Sequence, residues 1–137
     1  MTEQRKTTYV DSGLLIAVAQ GRDEVYEAAL SVLDDPERDF VSSVYVKLEV
    51  LPMATWLGQE DQVESYQEYF DSVSHWAPSS PELSNKALDL AREHGLGAVD
   101  ALHVAAAEAK GAELVTTERP TQPMFRVTTL SVTSIHG

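Results

Sequence analysis

Four acidic residues stand where a carboxylate has to be compensated. Asp11 closes the run Thr7-Thr8-Tyr9-Val10 and is followed at once by Ser12-Gly13. Glu49 lies between Leu48 and Val50-Leu51, Asp100 lies between Val99 and Ala101-Leu102, and Glu118 follows Thr116-Thr117. Glu49 and Asp100 thus interrupt stretches expected to be buried, and a buried carboxylate needs a hydrogen-bonding or charged partner. Two unit charges about 4 Å apart repel by roughly 4 kcal/mol at an effective dielectric near 20, against a domain stability of about 5 to 15 kcal/mol. A cluster of three or four such groups calls for protonation, a basic partner or a divalent cation, and all-oxygen ligands favour Mg²⁺ or Mn²⁺. An ion of that kind can bridge a phosphate, activate water and stabilise a leaving oxygen. The chemistry implied is phosphodiester hydrolysis.

Plainer roles are open to most of these acids. Asp11 precedes a helix, and Asp100 follows Gly97 near the start of one, so either can cap a helix amino terminus. Glu118 sits in Thr117-Glu118-Arg119-Pro120, which suits an ordinary polar loop. Glu49 is harder to explain structurally, because Lys47 is too close in sequence to face it on a helix.

The elements that must position these residues follow from periodicity. Thr7 to Val10 is β-branched and aromatic, as a buried strand requires, and Leu14 to Ala19 is apolar all round, as a buried helix requires. Val25, Ala28, Ala29, Val32 and Leu33 form an amphipathic stripe that Asp34-Asp35-Pro36 terminates. Phe40-Val41-Ser42 reads as a second strand. A helix capped by Ser43 is expected through Val44, Leu48, Leu51 and Trp56, with Pro52 as a kink and Gly58 as its end. Val63, Tyr66, Tyr69, Phe70 and Val73 give a further helix, and His75-Trp76-Ala77 a short strand. Leu83, Ala87, Leu90 and Ala91 face inward on a helix opened by Pro81 and closed by Gly95 and Gly97. An alanine-rich helix over Val99 to Ala109, a strand over Glu113 to Thr116 and a last strand over Arg126 to Val132 complete the pattern. Strands separated by helices imply a parallel sheet covered on both faces, here a single-domain, three-layer α/β/α sandwich over residues 1–137. Asp11 then falls at the carboxyl edge of the sheet, where open α/β folds bind ligands.

Composition sets the limits. A chain of 137 residues can bury a proper core without disulfides or a structural metal, and with no cysteine it has neither disulfides nor cysteine-ligated zinc. The opening residues, Met1 to Lys6, are polar and lack the apolar core of a signal peptide, and the apolar runs are too short to span a bilayer. A soluble, cytoplasmic protein with no membrane association is the expectation. The formal net charge of −12 argues against a broad phosphate-binding face, since the ten lysines and arginines are scattered rather than gathered into a patch.

Three segments together resemble the PIN-domain nucleases, and in particular the VapC-type toxins of toxin-antitoxin pairs. They are Tyr9-Val10-Asp11-Ser12-Gly13-Leu14-Leu15-Ile16, Ser42-Ser43 through Leu48-Glu49-Val50, and Val99-Asp100-Ala101-Leu102-His103-Val104 continuing into Gly111-Ala112-Glu113-Leu114-Val115-Thr116-Thr117. The resemblance implies a PIN-like fold and a metal-dependent endoribonuclease in which Asp11, Glu49 and Asp100 hold Mg²⁺ or Mn²⁺. Glu118 stands at the place of a fourth acid, usually Asp, and is one methylene longer. Ser12, Thr116 and Thr117 match hydroxyl positions that orient carboxylates or water, although each can also bond locally. His103, one turn after Asp100, faces the same cleft, and packing or hydrogen bonding accounts for it without proton transfer. The resemblance further implies an RNA substrate, a cognate antitoxin and a homodimer; core packing explains most of the aromatics Tyr45, Trp56, Tyr66, Tyr69, Phe70 and Trp76, and the remainder are expected to form an exposed strip at the dimer or antitoxin surface.

Rival readings fail on particular residues. A receiver domain needs paired acids after the first strand and a lysine after the last, but Asp11 stands alone and no lysine follows Lys110. A phosphatase of the haloacid dehalogenase type needs a second Asp two residues after the first, where this chain has Gly13. The alternative from another class is a PIN-fold binding module with little or no nuclease activity, motivated by the negative charge.

Overall fold

A strand over Lys6–Val10 (β1) forms the middle of the sheet, and the chain works outward from it in both directions. The computed structural model describes residues 5–21 and 24–136, so the polar opening residues 1–4 lie outside the described part. From β1 the chain runs through helices Ser12–Gln20 (α1) and Tyr26–Leu33 (α2) to a strand over Arg38–Ser42 (β2). Helices Val44–Trp56 (α3) and Glu60–Ser72 (α4) then lead to a two-residue strand, His75–Trp76 (β3). Helices Pro81–His94 (α5) and Ala98–Ala109 (α6) return it to a strand over Glu113–Thr116 (β4), and a final strand spans Val132–Ser134 (β5).

All pairings among these five strands are parallel, in the order β3-β2-β1-β4-β5. The order reverses direction at β1, so the gap between the carboxyl ends of β1 and β4 is the topological switch point. Helices cover both faces, completing the three-layer α/β/α sandwich: α1 contacts α2, α3 and α4, while α6 contacts α3 and α5. Thr8, Tyr9 and Val10 are all buried, as a central strand covered on both sides demands.

The ends of α1 and α5 follow the expected local chemistry, whereas Ser43, expected to cap α3, stands at its cap position without a side-chain capping bond. Gly21 and Gly95 adopt left-handed conformations at the ends of α1 and α5, and Ser80 caps α5 by accepting from the Leu83 N–H. α3 continues through Pro52; that residue is exposed, so the Leu48 carbonyl left without its helical donor lies on the solvent side.

Two further expectations are corrected. Arg126 to Val132 is not a strand: Pro123–Arg126 forms a 3₁₀ turn, and sheet pairing begins only at Val132. Pro123 fixes the backbone for that turn, and the buried Met124 anchors it beneath α6. The runs around Glu49 and Asp100 are only half buried, because Leu48 and Val99 are exposed while Val50 and Ala101 are not. The exposed aromatic strip narrows to Trp56 and Trp76, while Tyr66, Tyr69 and Phe70 are buried, in keeping with core packing for most of the set.

Candidate active site

The register of the sheet builds the site. Val10 pairs with Val115, so the next residues, Asp11 and Thr116, leave the two strands side by side. The Asp11 N–H still donates to the Val115 carbonyl at 3.2 Å, which holds the residue at the sheet edge. Its carboxylate is bound at both oxygens: Oδ1 accepts from the Leu14 N–H at 3.1 Å, capping α1, and Oδ2 accepts from the Thr116 hydroxyl at 2.5 Å. The capping role open to Asp11 is therefore real, and it leaves lone pairs free on both oxygens. Asp11 is only 7% exposed, and burial pushes its carboxyl up to about 6. The Thr116 and Leu14 hydrogen bonds and the field of His103 oppose that rise, while the charge of Glu118 adds to it.

Glu49 reaches the same region from the middle of α3, with its side chain 35% exposed. Burial raises its proton affinity, but a hydrogen bond and the field from His103, with a hydrogen bond from Ser12, outweigh it and hold the carboxyl below its usual range. Asp100 lies in the first turn of α6, half-buried; the amino-terminal cap there is Gly97, so Asp100 caps nothing. Its carboxyl is raised, first by burial and further by the charge of Glu49, with His103 opposing. Glu118 is exposed on the loop after β4. That loop is tied down from two sides: the Glu118 N–H donates to Thr116 Oγ1 at 3.0 Å, and its carbonyl accepts from the Ser134 hydroxyl at 2.6 Å.

Thr117 is set beside α1 by an absence. A β-carbon built on Gly13 would lie 2.6 Å from Thr117 Oγ1 and 3.6 Å from Asp11 Oδ1. Only a residue with no side chain lets the β4 loop close this tightly over the start of α1. Lys47, meanwhile, turns away from the acids and lies 4.5 Å from the centre of the Trp76 ring, a cation–π contact.

The structure therefore brings Asp11, Ser12, Thr116 and Thr117 together at the switch point, with Glu49 hydrogen-bonded to His103 and Asp100 within the field of both. Glu118 stands at the rim. The donors are hard carboxylate oxygens, and the charges of Glu118 and Glu49 raise the proton affinities of Asp11 and Asp100 respectively, which fits a divalent cation in chemistry. Among the described residues no three acidic or histidine side chains already enclose one point, so an ion would have to draw them inward.

The sequence matches the model of the PIN domain over residues 8–119, a span that contains all four acids. The chain belongs to the PIN domain family. No curated protein sequence matches it significantly. Among solved structures it is similar to a chain of the Rickettsia felis VapBC2 complex bound to a promoter DNA fragment, at 16% identity and a TM-score of 0.71, covering 93% of this chain and 98% of that one. It is likewise similar to a chain of a toxin-antitoxin complex from Klebsiella pneumoniae, at 21% identity and a TM-score of 0.70, covering 94% and 98%. A chain of VapBC-1 from nontypeable Haemophilus influenzae gives a TM-score of 0.68 at 16% identity, covering 96% and 99%. At these identities the likeness concerns the PIN fold.

Sequence reasoning passed over Tyr9 and Gly13, and gave His103 a packing or hydrogen-bonding role without naming its partners. Tyr9 lies two residues before Asp11 and the backbone stays extended from β1 into Asp11, so a period of two relates their side chains, and that was the available signal. The closeness of Gly13 to Thr117 spans most of the chain, and no local pattern carries it.

Proposed function

We infer that this PIN domain is an Mg²⁺- or Mn²⁺-dependent endoribonuclease and the toxin of a toxin-antitoxin pair. The observation that carries the reading is Asp11: a carboxylate buried at the switch point, oriented at both oxygens and made costly to ionise, with further carboxylates beside it. Asp11, Glu49 and Asp100 would hold the ion, and Glu118 would add a ligand or a water contact from the rim. When bound, such an ion supplies positive charge to a scissile phosphodiester and eases ionisation of water. The chain's own contribution is orientation. Thr116 and the Leu14 N–H fix Asp11, His103 bonds Glu49, and the first turn of α6 presents Asp100. Hydrolysis of mixed labelled RNAs by the purified protein, present with Mg²⁺ or Mn²⁺ and abolished by EDTA, is the expected result.

Two partners belong to this reading. A cognate antitoxin is supported by the complexes to which the fold is similar, and a basic one suits a chain of net charge −12. A homodimer is supported by α3, where Trp56 is 83% exposed and Leu48, Met53 and Leu57 stand out beside it. Contiguous apolar surface of this kind marks an interaction site. Residues 50–59 carry no charge, so two copies can meet along this strip without placing like charges opposite one another, despite the acidity of the whole. Trp56→Glu is expected to convert a dimer to a monomer in sedimentation velocity with the far-ultraviolet circular dichroism unchanged, and to remove any concentration dependence of the melting temperature. A wild-type protein that stays monomeric at high concentration would contradict the dimer.

The second reading, a PIN-fold binding module of little or no activity, draws on the net charge and on the incomplete closure of the acids among the described residues. Metal-independent behaviour, with wild type and acid-site variants equally inert on RNA, would favour it.

A further inference from the structure

Beneath the acids runs a buried chain of hydrogen bonds from one element to the next. The Tyr9 hydroxyl on β1 is 2.7 Å from Ser43 Oγ at the start of α3 and 2.7 Å from His103 Nδ1 on α6. The opposite ring nitrogen, His103 Nε2, donates to the Glu49 carboxylate on α3. Tyr9 is fully buried and His103 almost so, and their rings lie against each other with centroids 5.6 Å apart. Among the described residues Tyr9 has no water-facing alternative for its hydroxyl, and a phenol buried in this way keeps its proton.

We propose that Tyr9 and His103 form a brace that sets where the Glu49 carboxylate stands, and that through it they are positioning residues for the metal site. This rests on the reading of the acids as metal ligands. Tyr9 can both donate and accept, so it satisfies Nδ1 whether or not that nitrogen carries a proton, and Nε2–H points at Glu49 in either case. The brace thus holds both ends of the ring. Its mechanical logic lies in what it joins: Glu49 comes from a helix whose outer side is exposed, and its carboxylate is about one-third open to solvent. Left alone, a glutamate there would sample several rotamers, at a cost in entropy when an ion fixes one of them. The ring of His103 is held at both nitrogens and cannot turn, so Glu49 is presented in one place. Ser43, which stands at the cap position of α3 yet makes no capping bond with its side chain, is explained by the same chain: its hydroxyl goes to Tyr9. Outer partners of metal ligands act in this way elsewhere, and their loss typically costs about 10- to 100-fold in metal affinity.

The test is calorimetric titration of Mn²⁺ into metal-free protein, without RNA, for the wild type, Tyr9→Phe, His103→Gln, Asp100→Asn and Val32→Ala. Tyr9→Phe keeps the ring and removes only the hydroxyl. It is expected to weaken Mn²⁺ by about tenfold, with His103→Gln weaker by at least as much. Val32→Ala, in α2 and outside the brace, should lower the melting temperature and leave Mn²⁺ affinity unchanged, which separates positioning from loss of stability. If Tyr9→Phe and His103→Gln bind Mn²⁺ as the wild type does while Asp100→Asn does not, the brace is overturned and the metal site stands. If the wild type shows no binding that Asp100→Asn removes, the metal site falls, and the proposed brace falls with it.

Discussion

Replacing Asp11 with Asn is expected to abolish RNA cleavage and, at the same time, to make the metal-free protein more stable above pH 6. The two effects have one origin. Asp11 is buried enough that its carboxyl titrates at about 6 rather than at its ordinary 3.8, so the folded protein holds that proton more tightly than the unfolded chain does. Stability from this group is fully present below pH 3.8 and is lost as pH rises through about 6. Two pKa units correspond to at most ~3 kcal/mol, at 1.36 kcal/mol per unit. Asn is nearly the same size and stays neutral. Its oxygen can accept from the Leu14 N–H, and its NH₂ can donate to Thr116 Oγ1 in place of the bond that Thr116 now donates. Urea denaturation in EDTA should show the variant more stable by about 1 to 3 kcal/mol at pH 7.5 and equal to the wild type near pH 3.5. A variant destabilised equally at both pH values would mean that the hydrogen bonds of Asp11, and not the burial of its charge, govern its contribution. A gain in stability with loss of function is what a site kept under strain for its chemistry should show.

Gly13→Val is expected to lower stability and activity together. The added β-carbon would stand 2.6 Å from Thr117 Oγ1, well inside contact, and the two γ-carbons worsen the conflict. Thr117 can be displaced, but it is partly buried and follows directly on β4, so the loop carrying Glu118 moves with it. Overpacking of this kind costs about 1 to 3 kcal/mol. The melting temperature should fall by several degrees, with Gly13→Ala intermediate. A valine variant that melts as the wild type does would show that the β4 loop is free to lift away from α1.

Where each element lies was largely readable because burial imposes a period on it. β1, α1 and the alanine-rich α6 are covered by other layers, so their apolar patterns follow the geometry of strand and helix directly. β5 was misplaced because Arg126 to Val132 has strand-like residues whose conformation is decided by Pro123 and the burial of Met124. The acids were legible one by one, since each carboxylate is conspicuous among apolar neighbours or beside a strand end. How they are held was not. Asp11 meets Thr116, Tyr9 meets His103, and Gly13 meets Thr117 across separations of more than ninety residues, fixed only by the register of β1 against β4 and the seating of α6. Which of the aromatic residues stay at the surface was hidden for a related reason. Tyr69 and Phe70 share one stripe of α4 with no mark to say whether it meets the core or a partner, and Tyr69 packs edge-on against Phe40 of β2.

The most direct measurement is cleavage of a mixed set of end-labelled RNAs by wild type and Asp100→Asn, prepared side by side, in Mg²⁺, in Mn²⁺ and in EDTA. The substitution removes one charge from the first turn of α6 and almost no volume. Cutting by the wild type that needs the metal and falls at least a hundredfold in the variant is the predicted result, on the scale set by losing a group that acts in the transition state. Equal cutting by both proteins, or none by either with every metal, would contradict the assignment of the acids to a nuclease site.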